Sequence, residues 1–185
     1  SGIIIGTIGA TEQAAHQIAL SCASFTFMVS MGLAQGSSIR VSNAFGLRNR
    51  LKITTIGKST LITALLYGTL CAVIFISLRN ILPVAFNENT DVIRMAALLL
   101  IYAAVFQISD ATQAIAAGLL RGIKDVKTPT LFIGIAYWVV GIPAGYYLAF
   151  NAGLGAVGIW IGFIVGLSCS SILLCYRFLR MAKKV

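Results

Sequence analysis

Five long apolar runs, at about residues 15–39, 55–78, 92–120, 129–150 and 155–178, decide what this chain can fold into. Each meets the roughly 20 residues needed to cross a bilayer as a helix. Backbone in hydrocarbon must satisfy its own hydrogen bonds, and α-helices do so within one segment. With 58% of residues apolar and 10% charged, the chain lacks the polar surface of a water-soluble domain, where about 25% are charged. The expected fold is therefore all-α, a polytopic membrane helix bundle. The third run exceeds what a ~30 Å hydrocarbon core requires, so it should tilt, kink or begin among the headgroups. The shorter apolar stretch 2–10 reads as the tail of a further helix.

Successive spans point in opposite directions, so the segments after the first, third and fifth share one side. Those segments carry twelve of the 14 Lys and Arg residues, and the other side holds only Arg79 and Arg94. Short cytoplasmic loops retain basic residues and translocated ones exclude them, which makes the carboxyl terminus cytoplasmic. The net charge of +9 is thereby accounted for without nucleic acid, because the cations flank helix ends and form no basic domain.

Local signals fit the same boundaries. Thr90 or Asp91 is the expected N-cap of the third helix. Pro129 suits the first turn of the fourth, and Pro143 should free a carbonyl and kink that helix. Cys22, Cys71, Cys169 and Cys175 lie in apolar runs without metal-ligand spacing, and read as small hydrophobes. The start lacks the basic region, apolar core and cleavage site of a targeting peptide. Gly153, Gly155 and Gly158 imitate a nucleotide fingerprint but follow no strand, so they read as a loop and close helix packing. No nucleophile triad, carboxylate pair or zinc motif is present, and no enzyme or cofactor is expected.

One charged residue does not belong in lipid. Asp110 sits near the middle of the third run, where an aspartate costs about 2.5 to 3.5 kcal/mol on insertion scales. It should face protein or a water-filled cavity, where a carboxylate can hold a proton, a metal ion or an organic cation in alternation. Gln107 and Gln113 flank it at three-residue spacing, with Phe106 and Ala117, in what reads as one polar stripe. His16 is expected to be structural, meeting headgroups or capping a neighbouring helix at the outer start of the first span. Phe25, Phe27 and Met28 in the first span, and Tyr137, Trp138, Tyr146 and Tyr147 in the fourth, read as packing or interfacial residues. Aromatic faces among them could also bind organic cations.

Several strings resemble a known family. Residues 14–20 (AAHQIAL), 25–28 (FTFM), and 38–41 (SIRV) with Gly46 are similar to the eighth helix of multidrug and toxic compound extrusion (MATE) transporters and the loop after it. Residues 106–110 (FQISD), 116–118 (AAG), Arg121-Gly122 with Lys124-Asp125, and 137–146 (YWVVGIPAGY) look like the tenth and eleventh helices of its NorM-like branch. The resemblance covers essentially the whole chain. It implies that residues 1–185 are the carboxyl-terminal lobe, from the tail of the seventh helix through the twelfth, with the amino-terminal lobe absent. It implies an antiporter of the bacterial inner membrane that exports cationic amphipathic compounds while Na⁺ or H⁺ flows inward. Asp110 would handle the coupling cation, Na⁺ tentatively included, and Phe27, Phe106, Gln107 and Gln113 would line the cavity. Phe106 stands where some members have Tyr, and so offers no hydroxyl oxygen. Ser30 and Ser42 depart from the family's proline and glycine, and the seventh-helix acid would lie upstream of Ser1. The alternatives are a lipid-linked saccharide flippase of the same superfamily, or a fragment without transport activity of its own.

Overall fold

The computed structural model describes residues 5–7 and 9–183. Of the expected helix tail at 2–10, residues 2–4 and 8 lie outside these; within the rest, Ile5 and Gly6 are helical and Ile5 is fully buried. Five helices are long and apolar enough to cross a membrane: α1 (Ala10–Gly46), α2 (Arg50–Leu78), α3 (Thr90–Gly122), α4 (Lys127–Asn151) and α5 (Gly155–Ala182). Among the described residues there is no strand. All five expected spans are present, each extended by a few residues where polar residues continue the helix beyond the apolar run. As expected, the third span exceeds what a ~30 Å core requires, since the 33 residues of α3 rise about 50 Å, and α1, with 37 residues, is longer still. The turns of α1 beyond its apolar run pass through Thr11, Glu12 and Gln13 at one end and Arg40, Ser42 and Asn43 at the other, which are helix-compatible but too polar to register as span.

The N-cap of α3 is corrected. Asn89 takes the extended backbone conformation, and its side chain accepts from Asp91 N at 2.9 Å, so Thr90 and Asp91 fall inside the first turn. An amide oxygen one residue earlier reaches the free N–H groups that a cap must satisfy. Asn49 caps α2 in the same way, accepting from Lys52 N. Both α1 and α3 end in a Schellman turn, with Arg48 and Lys124 in the left-handed region at φ 51° and 63°. Asn49 N reaches Ala44 O, and Asp125 N reaches Leu120 O, which occupies carbonyls that each helix end would leave free.

Pro129 lies in the first turn of α4, as expected. Pro143 is preceded by a widened π-helical turn over Ala136–Gly141, and a second follows over Tyr147–Asn151. A proline without an N–H breaks the regular ladder, and π turns let neighbouring carbonyls find donors one residue further on.

Helix α3 occupies the middle of the bundle, packed by α1, α2 and α5, while α4 lies against α5. Small residues allow the close approaches. A Cβ on Gly118 would sit 2.5 Å from Ala34 O of α1, and one on Gly122 would sit 2.7 Å from Ser38 O. Such contacts matter because lipid supplies no hydrophobic force between helices, leaving packing and hydrogen bonds to hold them. The outer faces stay apolar, with Leu66, Trp138 and Ile172 well exposed, as a helix facing acyl chains requires.

Candidate functional site

The middle of α3 carries its polar residues toward the bundle interior. Asp110 is 9% exposed and forms one wall of a cavity of about 220 Å³ between α1 and α3. Leu20, Ala23, Ser24 and Phe27 of α1 line the opposite side, and Phe106, one turn before the acid, completes it. Spacing explains the grouping: residues 20, 23, 24 and 27 share one face of α1, and 106 and 110 share one face of α3. Among the described residues Asp110 has no hydrogen-bond or ion-pair partner.

The surroundings hold this wall in place. Gln107 is buried and donates from Nε2 to Ala23 O at a long 3.5 Å, tying the two walls together beside the cavity, while its Oε1 is left without a partner. Tyr67 of α2 donates to Thr26 O at 2.8 Å, fixing α1 just before Phe27. Ser109 and Ser168 share a hydrogen bond of 2.8 Å that joins α3 to α5. Phe106 meets Trp160 edge to face at 5.7 Å between ring centroids, and Trp160 meets His16 and Phe163 in the same manner.

Phe27, Phe106 and Asp110 thus face one cavity, with Gln107 behind its wall. Gln113 does not join them. It is buried with an unpartnered Oε1, but it lines no part of this cavity. The expected stripe turns with the helix: two steps of three residues carry Gln113 roughly 120° round α3 from Gln107. His16 does not reach the headgroups, being 1% exposed and packed against Trp160. Its ring edge and the indole replace the expected interfacial contact with an aromatic one.

Sequence reading missed Leu20, Ala23 and Ser24, because nothing in small or aliphatic residues of an apolar run announces a cavity. The exposed side chains of Phe25 and Met28 face outward, as does Trp138. Tyr137 and Trp138 both border a second cavity of about 390 Å³, together with Phe163. Of the four free cysteines, Cys22 and Cys71 are buried, and Cys169 and Cys175 are half-buried.

Chemically, the first cavity offers an acid, a hydroxyl and two aromatic faces in an apolar surround. The MatE family model matches residues 1–147, which settles the lineage. The chain belongs to the MatE family. It is thereby an integral membrane protein of a transporter family. Solved structures agree in fold. The eukaryotic MATE transporter AtDTX14 superposes with a TM-score of 0.86 at 23% identity, over 94% of this chain and 40% of that one. A MATE protein in the bent conformation matches at 0.85 and 17%, over 95% and 39%. A MOP superfamily transporter from Pyrococcus furiosus, described as having a binding pocket of reverse polarity that suggests a different function, matches at 0.84 and 18%, over 95% and 38%. The chain spans about 40% of the length of the transporters it matches.

Proposed function

We propose that this chain is the carboxyl-terminal lobe of a cation-coupled antiporter, resembling the NorM-like branch, that exports cationic amphipathic compounds with Na⁺ or H⁺ as the coupling ion. A bacterial inner membrane and a cytoplasmic carboxyl terminus belong to this reading. The observation that carries it is Asp110, a buried carboxylate that has no ion-pair partner among the described residues and shares a cavity with Phe106 beside it and Phe27 opposite. An acid in that setting gains from any cation that enters, and the rings add cation–π attraction of about 2 kcal/mol when desolvated.

Coupling is a matter of differential affinity. If the ion on Asp110 favours one packing of the lobe and the drug favours the other, an ion gradient shifts the population and drug leaves with it. A proton needs only the carboxylate. Na⁺, a hard cation, needs further oxygens, and on this face Ser24 supplies one hydroxyl whose proton is already given to Leu20 O. Water or the other lobe would complete the shell.

The test is Asp110→Asn in the complete transporter, with dye efflux measured under imposed Na⁺ and pH gradients. Gradient-driven efflux should be lost with membrane abundance unchanged, and Asp110→Glu should retain a measurable part. Parental efflux by the Asn variant would refute the assignment. A lipid-linked saccharide flippase, the alternative of opposite cargo charge, predicts lipid flipping and no dye efflux from the parent. The acid in this cavity, with no basic residue lining it, favours cationic cargo.

A further inference from the structure

A second polar hollow lies away from Asp110, on the flank between α1 and α2. It encloses about 270 Å³, walled by residues 32–40 of α1 and 59–63 of α2. Gly32, Gly36 and Arg40 follow one another at four-residue spacing along α1. A Cβ on either glycine would meet nothing within 4 Å, so the hollow exists because two side chains are missing from the wall. Ser37, Ser59, Thr60 and Thr63 supply hydroxyls. Each donates to a carbonyl of its own helix, which keeps it satisfied at membrane depth. Arg40 is exposed and, among the described residues, unpaired, and no acidic residue lines the hollow.

We propose that this groove binds the phosphodiester headgroup of an anionic phospholipid. A guanidinium presents forked donors matched to phosphate oxygens. A hydroxyl can turn its proton from a local carbonyl to a ligand oxygen, since its rotor is free. Two observations favour a lipid over a free anion. The groove lies at the basic end of the bundle, where α1 ends and α2 begins amid Arg48, Arg50 and Lys52, and basic pockets between helices at that level bind lipid headgroups. Beyond it the flank is apolar and exposed, through Met28 and Val29 on α1 and Leu66 and Leu70 on α2, giving acyl chains a surface to lie on. From Arg40 to Met28 that surface runs about 18 Å along the helix, the length of a lipid tail.

The experiment purifies the protein from vesicles of equal parts dioleoylphosphatidylglycerol and dioleoylphosphatidylcholine, then counts retained lipids by native mass spectrometry. The parent should keep phosphatidylglycerol preferentially. Arg40→Gln should weaken that retention about five- to tenfold, the share of one interfacial cation with its forked contacts. Gly36→Leu, which fills the hollow without changing charge, should do the same, and Arg40→Lys should recover part of the loss. Arg48→Gln, at the same end but outside the groove, should retain lipid like the parent. Both test positions are exposed with room for a side chain, and unchanged melting temperatures would verify that the variants fold. Equal retention by Arg40→Gln and Gly36→Leu overturns the site. So does an equal loss in Arg48→Gln, which would mean diffuse attraction, and so does saturation by inorganic phosphate alone. A parent that retains no phosphatidylglycerol, as it would if another protein segment covered the groove, overturns it as well.

Discussion

Single residues at the basic end show how charge is made useful outside the bilayer. Asp125, in the turn after α3, receives Arg177 Nε of α5 at 2.9 Å, while Arg177 also donates to Thr128 at 3.3 Å. Burial alone would push the Asp125 carboxyl up, but hydrogen bonds from Thr128 and Arg177, together with the Arg177 charge, hold it below its usual range. A carboxyl depressed in the folded state adds stability that is complete above its unfolded value, roughly pH 4, and is lost as pH falls through the lower folded value. Arg177 is partly exposed, so the pair contributes about 0.5–1 kcal/mol. Asp125→Asn should therefore melt slightly below the parent at pH 7 and no differently near pH 2, as read by thermal denaturation in detergent. An equal deficit at both values would mean that the charge is not what matters. Asp110 was legible in the sequence for the same physical reason in reverse, since an ionised group within an apolar run needs a partner or a cavity. Its neighbours were less so: Phe106 follows from adjacency, but Ser24 and Ala23 reach the site only because α1 crosses α3, which no local pattern encodes.

At the level of elements, apolar length alone located all five spans, because a bilayer imposes one length and one backbone solution. The ends were harder. Caps such as Asn89 and Asn49 are decided by which of several adjacent polar side chains finds a free N–H, and α1 continues through residues that hydropathy counts against it. The meeting of α4 and α5 was visible only as a scatter of glycines. In the structure Gly145 of α4 and Gly162 of α5 face each other so closely that a Cβ on Gly162 would overlap the Gly145 backbone. Gly162→Leu should therefore force the helices apart and cost at least the 1–3 kcal/mol typical of overpacking, lowering the melting temperature and loosening α4 toward protease. Gly134, on the same helix as Gly145, has open space where a Cβ would go, and Gly134→Leu should stay within about 0.5 kcal/mol of the parent. If the two variants melt alike, glycine contact is not what joins these helices.

For the whole molecule, the bundle has two unlike ends. One packing cluster gathers Ala15, Ala96, Ala149 and Trp160, and the other gathers Val41, Ile53, Leu120 and Phe178. Arg48, Arg50, Lys52, Lys124 and Arg177 surround the second cluster, whereas at the first end Glu88 lies in the turn before α3 and Asp91 in its first turn. Helices that alternate in direction bring these scattered cations to one side, so an asymmetry spread through the sequence becomes a polarised particle. Translocation discriminates against basic residues in short loops, and the particle should insert with its basic end in the cytoplasm. The orientation can be read directly once Cys22, Cys71, Cys169 and Cys175 are replaced by alanine. Single cysteines are then placed at the exposed positions Glu88 and Lys183, at opposite ends of the bundle. On intact cells a membrane-impermeant maleimide should label Glu88→Cys at once and Lys183→Cys only after permeabilisation. The reverse pattern would invert the topology and, with it, the direction in which a gradient could drive cations past Asp110. Labelling of both sites on intact cells would show that the charge asymmetry does not fix one orientation.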